Sequence, residues 1–393
     1  MRPGFWLRLC ALGGALGTLL AVISGVWGFE TGHTVLAALA LPPLAAVAAA
    51  AWVEHRQLLA PSVAALVLFG LAAAITAPGL HLALAGLAFA ASLVTTALAF
   101  RGQPEPAGSW RDYVTLTKPR IMTLLLLTGI CGMFVGEGGV PPLWLVAVTT
   151  LGLGLACGGA SALNHVLDAD IDKLMGKRTR SRPVASGRVP ATYALEFGLA
   201  LSALSFVLLA GFVNVLTAAL ALLGNLFYVF VYTRWLKRST PQNIVIGGAA
   251  GAIPPLVGWS AATGNLTLPA LVLFGAVFLW TPPHFWALAL LIRRDYEAAG
   301  VPMLPVVRGE RETARQIVLY TVALVAFTLA PALWGMFGLF YVVAAAVLGA
   351  LFLWLAWQLR RERTPRRARV LFHYSLAYLA LLFVAMALDA VIA

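Results

Sequence analysis

The sequence predicts an all-α polytopic membrane protein of about thirteen transmembrane helices, nine of them forming one bundle and four preceding it. Three observations predict this. Of 393 residues, 61% are hydrophobic and only 11% charged, with a mean hydropathy of +0.90, outside the range of soluble domains. Apolar runs long enough to cross a bilayer recur from one end to the other. When those runs are threaded alternately across a membrane, all 27 Lys and Arg fall on one side. The runs must be helices, because unpaired backbone cannot face lipid.

The first four runs centre near Leu19, Leu41, Leu68 and Ala88 and are rich in Ala and Leu. Arg2 and Arg8 precede the first, which continues past Trp27, too long for a cleavable signal core. Residues 101–112 are polar, with two prolines and two glycines, and read as a linker. Nine runs follow, near Leu126, Leu151, Ala203, Leu222, Gly251, Leu279, Leu324, Ala346 and Leu381. The expected organisation is a four-helix extension over 1–100, a linker over 101–112 and a bundle domain over 113–393.

The net charge of +12 does not indicate nucleic acid, because the basic residues sit at alternate helix ends. They gather around Arg2 and Arg8, Arg56, Arg101 to Arg120, Lys173 to Arg188, Arg234 to Arg238, Arg293 to Arg315, and Arg360 to Arg369. The opposite loops, around Glu30, Ala77, Glu137, Asn214, Asn265 and Gly335, hold none. The positive-inside rule then places the N-terminus in the cytoplasm and the C-terminus, after Asp389, outside. Cys10, Cys131 and Cys157 lie in separate apolar runs with no CxxC pair, which argues against disulfide and zinc chemistry.

Function should lie in the inside loops of the nine-helix region, where ionisable residues at the membrane edge are costly unless they line a site. Asn164, Asp168 and Asp172 recur at four-residue spacing at the end of the run near Leu151. At about 100° per residue they drift by only about 80°, so all three share one helix face. Asp170 points about 160° away from Asp168. Topology alone requires no carboxylates here. Two carboxylates and an amide suit Mg²⁺, which takes phosphate oxygens as remaining ligands. Arg178 and Arg182, just beyond, suit bidentate grip on the outer oxygens of a diphosphate. In so apolar a chain, the expected cargo is a diphosphate on a lipid tail.

The stripe Asn164, Asp168, Asp172, the basic entry at Lys118, Pro119 and Arg120, and the nine helices resemble the UbiA superfamily of intramembrane prenyltransferases. Five strings resemble its heme-prenylating branch in particular: Asp168 to Asp172, Arg178 to Pro183, Thr240 to Gly247, Trp280 to Trp286, and Asp295 through Pro305. The resemblance covers roughly residues 110–393. It implies a Mg²⁺-dependent transfer of farnesyl from farnesyl diphosphate to a vinyl group of protoheme IX, giving heme O, an intermediate of heme A biosynthesis. It also implies a cell (inner) membrane protein whose central cavity opens to the cytoplasmic side. Asn164, Asp168 and Asp172 would hold Mg²⁺, with Arg178 and Arg182 stabilising the leaving diphosphate. Lys118, Arg120, Tyr232, Lys237, Arg238, His284 and Asp295 would contact substrates, His284 by binding or orienting heme. One departure stands out: where many UbiA enzymes carry a second Asp-x-x-x-Asp motif, Asp295 is followed four residues later by Ala299. The heme-prenylating branch is similar in this respect, and Asp295 remains a candidate metal contact.

In the four-helix extension, His33 opens the second run and His81 the fourth, both at the outer face. One bis-histidine heme within a four-helix bundle is within their reach. The extension resembles one half of heme A synthase, which would then be a partner. Two other readings share parts of this pattern. A heme-handling membrane scaffold needs the histidines but not the stripe beside Arg178 and Arg182. A prenyltransferase acting on a quinone precursor needs the stripe but not Trp280 to Trp286.

Overall fold

The computed structural model describes residues 5–26, 30–53, 58–74, 78–100 and 108–392, and among them all regular structure is helical. The N-terminal helices are α1 (Phe5–Val26), α2 (Glu30–Val53), α3 (Leu59–Ala74) and α4 (Pro78–Phe100). A short α5 (Trp110–Thr117) leads into α6 (Pro119–Glu137) and α7 (Leu143–Leu167), followed by α8 (Ala169–Leu174), α9 (Lys177–Arg180) and α10 (Ala191–Phe212). Next, α11 (Val215–Leu226) runs without interruption into a π-helix (Phe227–Leu236) and α12 (Lys237–Ser239). The chain ends with α13 (Asn243–Thr263), α14 (Leu268–Leu291), α15 (Arg293–Ala298), α16 (Leu304–Val307), α17 (Gly309–Leu329), α18 (Leu339–Arg361) and α19 (Pro365–Ile392).

Eleven helices among the described residues are long and apolar enough to cross a membrane, and the protein is an integral membrane protein. The two remaining expected runs, near Leu68 and Ala88, lie in α3 and α4, whose apolar stretches Pro61–Ala73 and Leu84–Thr96 are shorter. The expected thirteen spans therefore stand at eleven by length. The 16 residues of α3 reach about 24 Å, less than a typical hydrocarbon core of about 30 Å. Residues 101–107 of the expected linker lie outside the described residues. The end of that stretch is helical instead, because Ser109 and Asp112 form a capping box that starts α5 at Trp110.

Close helix contacts come from small residues, as membrane bundles require. A Cβ on Gly132 of α6 would press on the Pro255 carbonyl of α13, and one on Gly129 would press on Leu153 of α7. Gly86 lies directly against Val207, seating α4 on α10. The largest core joins α14 to α17, α18 and α19 through Trp286, Tyr341, Phe352, Tyr378 and Phe383, all fully buried. Asp389, a carboxylate within a membrane helix, is structural: it accepts from the Gly338 and Tyr341 amides at 2.6 and 3.2 Å, satisfying the otherwise orphan donors that begin α18.

Candidate active site

The stripe survives a helix break. The helix α7 ends at Leu167, and Asp168 adopts φ −93°, ψ 2° before α8 begins. The four-residue hydrogen bonds nevertheless continue, from the Asp168 amide to the Asn164 carbonyl at 2.9 Å and from the Asp172 amide to the Asp168 carbonyl at 2.8 Å. Asn164, Asp168 and Asp172 thus stay on one face, 3%, 0% and 0% exposed.

Cations converge on them. Lys118 Nζ donates to Asn164 Oδ1 at 2.7 Å, and Asn164 Nδ2 donates to Asp168 Oδ2 at 2.8 Å. Lys237 Nζ reaches the same Asp168 Oδ2 at 2.5 Å, while Arg182 Nη1 grips both Asp172 oxygens at 2.7 and 2.9 Å. Burial pushes the Asp172 carboxyl above its ordinary pKa, with Arg182 opposing. Burial, then the Arg182 charge, lowers Lys118 to about 7. Asp168 Oδ1 is buried without a partner. Such a bare carboxylate oxygen beside a second carboxylate fits the protein's share of a Mg²⁺ site completed by phosphate oxygens. No group of three or more His, Cys, Asp or Glu able to hold a metal occurs among the described residues.

Other expected contacts are placed differently. Arg238 turns to Asp170, with both contacts at 2.7 Å, and to the Leu167 carbonyl at 2.6 Å. It clamps the junction of α7 and α8 instead of joining the Asp168 network. Its hold explains why Asp170, directed away from the stripe, lies well below the usual carboxylate range, at about 2. Arg120 is exposed and joins no bond of this network. The Arg178 side chain lies outside the described residues. Asp295 comes to the stripe's following loop: a Cβ on Gly176 would lie 2.6 Å from its Oδ2. Tyr232 packs directly on Gly247 and stacks on Tyr228 with ring centroids 5.5 Å apart.

Adjacent Gly248 receives Thr281 of α14, so the inner end of α13 separates Tyr232 from the helix that carries His284. His284 is 6% exposed and stacks on Trp280 and Phe372, at 4.3 and 4.8 Å between centroids. In the N-terminal helices the His33 and His81 rings meet at 5.5 Å, as their common face suggested.

Two site residues, Thr233 and Asn243, escaped sequence reasoning, while His165, next to Asn164 in the chain, reads from sequence as a packed or edge-of-site residue. Thr233 Oγ1 accepts from Asn164 Nδ2 at 3.1 Å while donating to the Tyr228 carbonyl at 2.9 Å. Asn243, fully buried at the start of α13, has no partner for either amide atom. His165 is 1% exposed with both ring nitrogens unpartnered. Thr233 and Asn243 bound one basic inside loop; their position there was the available signal.

Residues 125–384 match the UbiA prenyltransferase family. The chain is 51% identical over 337 residues to a protoheme IX farnesyltransferase of Roseiflexus sp. strain RS-1, covering 80% of this chain and 63% of that protein. It is 55% identical over 281 residues to the protein of that name from Symbiobacterium thermophilum, covering 71% and 94% respectively. Against the Roseiflexus proteins and that of Chloroflexus aurantiacus, the chain spans less than two thirds of the relative's length, 63%, 62% and 51%. Among solved structures, a digeranylgeranylglyceryl phosphate synthase superposes with a TM-score of 0.61 at 19% identity, covering 72% of this chain and 99% of that one. A UbiA homolog from Archaeoglobus fulgidus bound to GPP and Mg²⁺ superposes with 0.54 at 17% identity, covering 70% and 99%. At these identities the likeness speaks for the fold. With a family match over most of the chain and 55% identity across nearly the whole of a relative, the chain belongs to the UbiA prenyltransferase family.

Proposed function

We propose that this protein transfers the farnesyl group of farnesyl diphosphate to a vinyl group of protoheme IX, giving heme O. The observation that carries the donor half is the buried network of Lys118, Asn164, Asp168 and Lys237 beside Asp172 and Arg182, with Asp168 Oδ1 bare. The names of the relatives, together with the buried aromatic group around His284, support the acceptor half.

Asn164, Asp168 and Asp172 would hold Mg²⁺, and Asp295 is a candidate further contact. When bound, Mg²⁺ supplies positive charge that stabilises the leaving diphosphate. Arg178, Arg182, Lys118 and Lys237 are assigned to the diphosphate oxygens, where cationic donors counter charge as it develops. Arg120, Arg238 and Tyr232 are assigned to the substrate-binding margin. The carbon–oxygen bond breaks with its electron pair leaving on diphosphate. The vinyl π pair then forms the new carbon–carbon bond, and water adds with loss of a proton. Thr233 holds Asn164 in orientation, and His284 is assigned to the heme.

Supplying farnesyl diphosphate, Mg²⁺ and protoheme to the purified protein should yield heme O by mass spectrometry. Asp168→Ala and Asp172→Ala should each lower turnover at least about 10²-fold, as loss of one transition-state contact does. Unchanged activity in both variants sinks the mechanism, and prenylation of a quinone precursor instead of protoheme sinks the acceptor assignment.

A specific observation favours a second heme in the N-terminal helices. His33 Nδ1 lies 2.9 Å from the Ala21 carbonyl and His81 Nδ1 2.7 Å from the Ala72 carbonyl. Carbonyls only accept, so each Nδ1 carries the proton and each Nε2 of a neutral ring is left bare, as heme iron requires. A heme spectrum retained after replacing both histidines removes this site. We place the N-terminus and the diphosphate site on the cytoplasmic side of the cell membrane from the distribution of basic residues. The likeness of the extension to half of heme A synthase supports that enzyme as a partner.

A further inference from the structure

The imidazole of His284 is held at a single nitrogen by a residue from another helix. Ser375 of α19 places Oγ 2.7 Å from His284 Nδ1 and also 2.7 Å from the carbonyl of Phe372. A serine hydroxyl has one proton. Both the Phe372 carbonyl and an unprotonated Nδ1 could take that proton; when the carbonyl takes it, the hydroxyl accepts from His284. In that arrangement Nδ1 carries hydrogen, and in the neutral ring Nε2 holds the lone pair. Among the described residues Nε2 has no hydrogen-bond partner.

Ser375 is itself pinned. Its carbonyl accepts from Trp280 Nε1 at 2.7 Å, tying α14 to α19 one turn from His284. The same Trp280 and Phe372 stack on the imidazole with interplanar angles of 16° and 23°, which sets the plane of the ring. Ser375 is fully buried and faces no bulk water that could replace its hydroxyl. The ring plane and the partner at Nδ1 are thus both set by residues around His284.

We infer that Ser375 is a positioning residue that holds His284 as the Nδ1-protonated tautomer, so that Nε2 ligates the iron of the protoheme acceptor. The inference rests on protoheme being the acceptor, and it adds how that acceptor is oriented. Metal-bound imidazoles take their tautomer and basicity from the partner on the other ring nitrogen, and losing that partner costs about 10–100-fold in affinity. A porphyrin anchored through its iron can present its vinyl group in one fixed direction to the farnesyl carbon.

The test uses full-length protein carrying His33→Ala and His81→Ala, titrated with protoheme in detergent. Iron–imidazole vibration is followed by resonance Raman, and KM is measured for each substrate. Ser375→Ala should shift the iron–imidazole vibration and raise the KM for protoheme about 10–100-fold while leaving the KM for farnesyl diphosphate unchanged. Ser375→Thr, which keeps the hydroxyl, should restore both values toward those of the parent. In His284→Gly the imidazole signature should vanish and return with added free imidazole. An identical vibration and protoheme KM in Ser375→Ala, or an imidazole signature that survives in His284→Gly, overturns the inference. If the parent makes heme O while either result is found, only the positioning role falls; if the parent makes no heme O, the functional reading falls first.

Discussion

Lys118 is the one non-glycine residue in the left-handed region among the described residues, at φ 52°, ψ 57°. It also precedes Pro119, where extended backbone is normally preferred. Strain of this kind costs on the order of 1–3 kcal/mol and persists only where surrounding structure imposes it. Here it turns the chain sharply between α5 and α6 and aims Nζ at Asn164. The sequence pointed to Lys118 as a basic entry residue, but its strained backbone depends on two helices being docked. Gly176 shows the same dependence. Its missing Cβ leaves room for the Asp295 carboxylate, 119 positions along the chain. Gly176→Ala is expected to displace that carboxylate and raise the KM for farnesyl diphosphate about tenfold, the scale of one lost charged hydrogen bond. Steady-state kinetics of Gly176→Ala, Asp295→Ala and the double variant check this. If the two losses simply add, the displacement is not the cause.

At the scale of elements, the π-helix over Phe227–Leu236 decides what the inside end of its own segment presents to the stripe. Five-residue hydrogen bonding widens the turn, and Thr233 Oγ1 bonds the carbonyl five positions earlier, at Tyr228. The wider turn brings Tyr228, Tyr232, Thr233 and Lys237 to one side, where Thr233 meets Asn164 and Lys237 meets Asp168. Hydropathy shows one apolar run from Val215 to Ser239 and no sign of the changed pitch, because a window average carries no angular information. Deleting Phe230, exposed within the π-helix, should return the segment to α pitch and rotate Lys237 away from Asp168. The variant should remain helical by circular dichroism yet lose about 10²-fold in heme O formation, the cost of misplacing one contact by about 1 Å. Activity equal to the parent's would mean that the π pitch is unnecessary. The break at Asp168 works in the opposite way: the amide bonds carry the stripe through it unchanged, so the spacing read from sequence held.

For the whole molecule, the charge map makes a prediction about sidedness. With Cys10, Cys131 and Cys157 changed to alanine, Asn265→Cys is expected to react with an impermeant maleimide from outside intact cells. Arg363→Cys is expected to react only after permeabilisation. The reverse pattern would invert the bundle and move the stripe to the outer face. The same alternation put His33 and His81 at one end before any packing was considered, and their rings meet at 5.5 Å. It also put Lys118, Asp168, Lys237 and Asp295 at one end, while leaving open which of them touch.

The chain by itself determined its class, the order of its helices and the end of the bundle at which its basic residues and the Asn164–Asp172 stripe gather. Those follow from properties each residue keeps in isolation: the transfer cost of apolar and charged side chains, and the fixed angular step of a helix. Only the tertiary structure decided the pairings. Arg238 went to Asp170 while Arg182 and Lys237 went to the stripe, Thr233 joined Asn164, and Ser375 took His284 Nδ1. The physical reason is that hydrogen bonds and ion pairs act within about 3–4 Å, so their partners are set by how helices distant in sequence dock, down to individual glycines.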